Sequence, residues 1–126
     1  MTIDLLAVLA ATVAAFLCGG AYYAVLGDRL AVNPDASAEM PPWKLAVELL
    51  RCLVLAVVVA GLASQGEIDE WTGGVALGLA LWLGFPAVLL TGAVVHEGTP
   101  AGVAALHAGD WLAKLLLVAV IVTVLQ

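Results

Sequence analysis

Positive charge is the scarcest commodity in this chain. Four of its 126 residues are Lys or Arg, against ten Asp or Glu, for a net charge of -6. Binding to nucleic acid needs Lys and Arg gathered on one face. Adhesion to a membrane surface needs a basic amphipathic segment or tail. The sequence supplies neither. Only two cysteines are present. Both Cys18 and Cys52 fall inside apolar stretches, where a free thiol packs as a small hydrophobe, so no disulfide is expected. Catalytic signatures are also missing: there is no nucleophile elbow, P-loop or dinucleotide fingerprint. Gly19-Gly20 and Gly73-Gly74 lack the rest of any phosphate-binding pattern. His96, Glu97, His107 and Asp110 have the chemistry of metal ligands but not the spacing of a zinc site. No cofactor and no metal are expected.

Apolar sequence is what the chain has in excess. Its hydrophobic fraction is 64% and its charged fraction 11%, against about 45–50% and 25% in soluble domains. A chain of this size cannot bury so much apolar surface in a core of its own. The residues are arranged in four runs, 3–26, 43–63, 72–95 and 102–125, each near the roughly 20 residues that cross a bilayer. The expected fold is therefore all-α: an antiparallel four-helix transmembrane bundle filling one domain, 1–126. The first run is too long for a signal-peptide core, and Met1-Thr2-Ile3-Asp4 has no basic n-region, so it is expected to remain as a span.

With four spans, both termini share one side with the 64–71 loop, which holds acids: Asp4, Glu67, Asp69 and Glu70. Arg29, Lys44 and Arg51 fall in the loop or helix halves of the opposite side. The bias of Lys and Arg towards the cytoplasm predicts that both termini lie outside it. The cell's inner (plasma) membrane is the expected location.

Ala7, Ala11, Ala15 and Gly19 recur every fourth residue of the first span, a smooth stripe of the kind that lets helix backbones approach in lipid. Tyr22 and Tyr23 close that span at the depth of an anchoring aromatic belt. The long 27–42 loop contains Asn33-Pro34-Asp35 and Pro41-Pro42, both turn chemistry. In the second span, Glu48, Cys52, Ala56 and Ala60 form another narrow stripe. The third span carries Gly74 and Gly78, a close-packing pair. Pro86 in that span cannot donate to the carbonyl of Trp82 and crowds it, predicting a kink. Thr99-Pro100 suggests an N-cap with proline at the first helical position of the fourth span.

The fourth span bears the main polar feature. His107, Asp110, Trp111 and Lys114, at i, i+3, i+4 and i+7, share one helix face. Lys114 is about 18 Å from the start of the run at 1.5 Å per residue. Asp and Lys at a helix centre each cost roughly 2.5–3.5 kcal/mol, and about a dozen Leu, Ile and Val return roughly 0.3–0.6 kcal/mol each. These sums nearly cancel, so the polar face should turn towards other helices. Glu48 and Arg51 share a face of the second span and enter from the same side. A cross-helix cluster of Glu48, Arg51, Asp110 and Lys114 is expected, with His107 and Trp111 beside it. Such a balanced set of charges can be glue that fixes helix register, or a polar site for an ion, proton or solute.

Short motifs distributed over the chain add a resemblance. Gly20-Ala21-Tyr22-Tyr23 with Leu26-Gly27, then Trp82-Leu83-Gly84-Phe85, His96-Glu97-Gly98 and Ala108-Gly109-Asp110-Trp111-Leu112 are similar to elements of the domain-of-unknown-function 1761 family. These are small, four-helix bacterial membrane proteins. The resemblance implies the fold and the location and no particular activity. Tyr22 stands where the family tends to have Trp, and Asp110 where it has an aromatic. Asp110 and Lys114 are thus expected to be peculiar to this member.

The leading functional expectation is permeation of a small solute, ion or proton at the polar cluster, in a homo-oligomer. The alternatives are an accessory or scaffold subunit whose small-residue stripes face a membrane partner, and an enzyme acting on a lipid or quinone through His107 and Asp110.

Overall fold

The computed structural model describes residues 3–26 and 41–126. Among the described residues five helices make four spans: α1 (Leu5–Leu26), α2 (Pro42–Gln65), α3 (Trp71–Gly84), α4 (Pro86–Glu97) and α5 (Ala101–Leu125). α3 and α4 together form the third span, Trp71–Glu97, and all four spans are long and apolar enough to cross a membrane. Arg29 and the turn expected at Asn33-Pro34-Asp35 lie outside the described residues.

The third span bends where proline removes a donor. α3 ends at Gly84, α4 begins at Pro86, and Phe85 between them has φ -121° and ψ -77°. The ladder is interrupted only locally, because Phe85 N–H still reaches Leu81 O at 3.0 Å and Leu89 N–H reaches Phe85 O at 2.9 Å. α4 stops at Gly98, whose φ of 74° is left-handed, a conformation that glycine adopts without a Cβ clash. Helix starts are set by different means. Asp4 caps α1, its Oδ1 accepting from Leu6 N–H at 2.9 Å and Ala7 N–H at 3.4 Å. Pro42 opens α2. The expected cap at Thr99 is corrected: Pro100 occupies the N-cap of α5 and no side chain caps it. The left-handed Gly98 turns Thr99 back onto α4 instead, where Thr99 N–H donates to Ala93 O.

α5 is the central helix. It packs on each of the other four, and α1 and α2 pair beside it. The core they share is made of small residues: Ala11 and Ala15 from α1, Ala56 and Ala60 from α2, Val118 and Ala119 from α5. Its largest fully buried side chains are valines and Thr123, while Leu5, Leu6, Leu17, Leu83 and Leu89 are exposed. This is the distribution lipid favours. Large apolar groups gain nothing by leaving acyl chains, whereas small ones let backbones come close enough for dispersion contacts.

The small-residue stripes are used inside the molecule. Ala7, Ala11, Ala15 and Gly19 are buried, and so are Gly74 and Gly78. A Cβ at Gly78 would lie 3.0 Å from Leu115 O and 3.1 Å from Leu116 Cα. The expectation that these stripes face a partner protein is therefore corrected: they are spent on α1 and α3 docking within the chain. Gln126 ties α1 and α2 to the end of α5, Asp4 N–H donating to Gln126 Oε1 at 3.2 Å and Gln126 Nε2 to Ala60 O at 3.0 Å.

Candidate functional site

Depth and helix periodicity bring charged side chains of α2 and α5 together. Lys114 begins near mid-membrane, and its side chain leans towards the N-terminus of α5, as helical side chains do. That direction carries the ammonium to two carboxylates. Lys114 Nζ is 3.1 Å from Asp110 Oδ2 and 3.2 Å from Glu48 Oε1. The other oxygen of Glu48 takes Arg51 Nη1 at 2.6 Å. The four charges form one linear array, Arg51–Glu48–Lys114–Asp110, with its sign alternating at each step.

The array runs from the surface of the bundle to its interior. The side chain of Arg51 is 59% exposed and that of Glu48 30%, against 7% for Lys114 and 6% for Asp110. At the buried end Asp110 Oδ1 makes no hydrogen bond of good geometry among the described residues, and the hydroxyl of Tyr23 is close enough to interact with this carboxylate. Trp111 lies beside the ammonium, its ring centroid 5.9 Å from Lys114 Nζ. Cys52 Sγ sits 3.9 Å from Glu48 Oε1. Cys52 is buried, Cys18 is partly exposed and both thiols are free.

His107 reaches the charges through a tyrosine that also interacts with Asp110. Its Nδ1 is 2.7 Å from the hydroxyl of Tyr23. Tyr22, the neighbouring residue, donates to Leu106 O at 2.6 Å, and the two tyrosine rings meet edge to face. The expected aromatic belt at Tyr22 and Tyr23 is thus corrected. Both hydroxyls turn onto α5 and are bonded within the protein. Asp110 is 4% exposed, and the partly exposed His107 is engaged by Tyr23. Among the described residues, no three His, Cys, Asp or Glu side chains converge as metal ligands would.

Three participants escaped the reading of the sequence. Gly19 supplies the room in which Lys114 lies. Tyr22 passes directly over Gly109, where any Cβ would collide with its hydroxyl. Trp82 donates through Nε1 to Ala108 O at 2.9 Å. The signal was present in the short motifs. The Gly-Ala-Tyr-Tyr element of α1 and the Trp-Leu-Gly-Phe element of α3 both converge on the Ala-Gly-Asp-Trp-Leu element of α5, and these contacts position Asp110.

The chain belongs to a family of unknown function. The family model described as "Protein of unknown function (DUF1761)" matches residues 6–123, nearly the whole chain. Neither a curated protein nor a solved structure matches it.

Proposed function

We propose that this multi-pass membrane protein moves a proton or small cation through the Glu48–Lys114–Asp110 cluster. One observation carries the reading: a buried lysine bridges two carboxylates, the partly exposed Glu48 and the buried Asp110. Ionisable residues at this depth are expensive and are kept where they serve a path. Glu48, partly exposed, can exchange a proton with the aqueous side. Lys114 stands between it and Asp110. A cation could equally replace the ammonium between the two carboxylates. Four spans this closely packed leave the path incomplete in one copy, so the working unit is a homo-oligomer. The distribution of Lys and Arg supports an inner-membrane orientation with both termini outside the cytoplasm and Glu48 nearer the cytoplasmic face.

The test is flux in proteoliposomes enclosing a pH-sensitive dye, with proton and potassium gradients imposed separately. Wild-type flux that is lost in Asp110→Asn and in Lys114→Met, while both variants stay assembled, is the expected result. Absence of flux under either gradient would sink the proposal.

A second reading is favoured by the closure of the cluster on α1, α2 and α5. The charges then serve as register-setting glue, and the protein is an accessory subunit of a larger membrane complex. A stoichiometric partner retained through purification from native membranes would favour this reading.

A further inference from the structure

The Tyr23 hydroxyl lies between two acceptors. Its oxygen is 2.7 Å from His107 Nδ1, and the same hydroxyl is close enough to interact with the Asp110 carboxylate. Gly19, one turn before Tyr23 on the same face of α1, places that carboxylate independently: a Cβ there would lie 3.7 Å from Asp110 Oδ1. A tyrosine has one O–H to donate, and a neutral imidazole accepts at one nitrogen and donates at the other. Two arrangements follow. When Nδ1 is bare, Tyr23 donates to His107. When Nδ1 carries a hydrogen, it donates to the Tyr23 oxygen, and the hydroxyl proton turns to Asp110.

The three side chains run inward from the end of the bundle where α1 stops and α5 starts. Tyr23 is in the last turn of α1. His107 is about 9 Å along α5 from Ala101, and Asp110 about 4.5 Å further, at 1.5 Å per residue. His107 is partly exposed and Asp110 is buried. The other groups around the carboxylate are committed elsewhere. Tyr22 of α1 gives its hydroxyl to Leu106 O. On α2, Cys52 lies against Glu48, and Glu48 meets Asp110 only through Lys114. An ammonium has three donors and no acceptor, so Lys114 blocks proton transfer from Glu48 while it stays charged. α3 has no titratable side chain, and those of α4, His96 and Glu97, are exposed.

We infer that His107 and Tyr23 form a proton relay that loads Asp110 from this end of the bundle. A proton from water adds to Nε2 of the imidazole whose Nδ1 carries a hydrogen. The Nδ1 proton passes to the Tyr23 oxygen, and the hydroxyl proton passes to the Asp110 carboxylate. One proton enters and one arrives. His107 is left neutral with its hydrogen on Nε2, and Tyr23 donates to the bare Nδ1. Histidine suits the outer position because it takes and gives a proton near neutral pH. The purpose of the relay rests on the ion movement proposed above, and it narrows the cargo to the proton, since a hydrogen-bond chain passes no metal cation.

A downward pH jump on the protein in nanodiscs, followed through the infrared carbonyl band of protonated Asp110, tests it. Asp110→Asn identifies the band. Tyr23→Phe keeps the ring and removes the hydroxyl, and His107→Gln removes the imidazole. Each should slow the rise of the band by roughly a hundredfold, the lower end of what a positioned proton donor contributes. A merely structural bond, once lost, would loosen the site and admit water, which speeds proton uptake instead. His96→Gln, which alters the other of the chain's two histidines, should leave the rate unchanged. A band that rises at the wild-type rate in Tyr23→Phe would overturn the relay. So would a wild-type protein in which the band never rises. Proteoliposome flux separates the two ideas: wild-type flux with an unslowed Tyr23→Phe band sinks the relay alone, whereas a Tyr23-dependent band without flux sinks transport and leaves the relay as the route by which Asp110 is loaded.

Discussion

Lys114 lies across Gly19. A Cβ at Gly19 would stand 2.8 Å from Lys114 Cε, 3.2 Å from its Nζ and 3.7 Å from Asp110 Oδ1. The missing side chain on α1 is therefore the space that allows an ammonium from α5 to reach Glu48 on α2. A glycine at the end of an alanine stripe and a lysine at mid-membrane are two halves of one device.

Gly19→Ala should push the ammonium away from its carboxylates. The expected cost is about 1–3 kcal/mol, the range for overpacking a close fit, read as thermal stability in detergent. The lysine is the specific obstacle, so the cost should largely vanish when Gly19→Ala is made in a Lys114→Ala background. An equal cost in both backgrounds would show that the Cβ meets something other than Lys114.

Removing one member of the buried pair should hurt more than removing both. Lys114→Met leaves the buried Asp110 without its counter-ion, and breaking such a pair costs about 3–5 kcal/mol. The double variant Lys114→Met/Asp110→Leu discards both charges and should regain most of that stability, since apolar replacements of buried ion pairs are often neutral. If the double variant is no more stable than the single, the pair is contributing net attraction well beyond its desolvation.

The glycines of the third span should divide by what faces them. Gly78→Val places a branched side chain against the backbone of Leu115 and Leu116, which cannot swing aside, so α3 should separate from α5 and the protein should lose cooperative unfolding in detergent. Gly92→Ala, with nothing within 4 Å of the new Cβ, should be stabilising by about 0.5–1 kcal/mol through helix propensity. Parallel thermal melts of the two variants check this contrast.

Much of the fold was legible because the bilayer makes the rule simple. Twenty apolar residues must become a helix when no water is present to satisfy the backbone, so the four spans could be read from 3–26, 43–63, 72–95 and 102–125 with ends a few residues from those observed. The bend at Pro86 followed from one missing N–H. Thr99 misled because a threonine before a proline looks like a cap, whereas the tight turn from α4 used its backbone instead. The stripes on α1 and α3 misled in a different way. Their smoothness was plain, but smoothness alone does not say whether the neighbour is another chain or another part of this one.

The sequence by itself determined that this is a four-span, all-helical membrane protein. It also determined that Glu48, Arg51, Asp110 and Lys114 lie at depths where they can meet, because rise per residue and transfer cost depend only on composition and position. Only the tertiary structure decided that the fourth span is the hub, that Tyr22, Tyr23 and Trp82 hold it, and that Lys114 bridges two carboxylates over Gly19. Those facts depend on how each helix is rotated about its axis. That rotation is set by the sum of many small steric fits between helices, none of which is visible along a single run of residues.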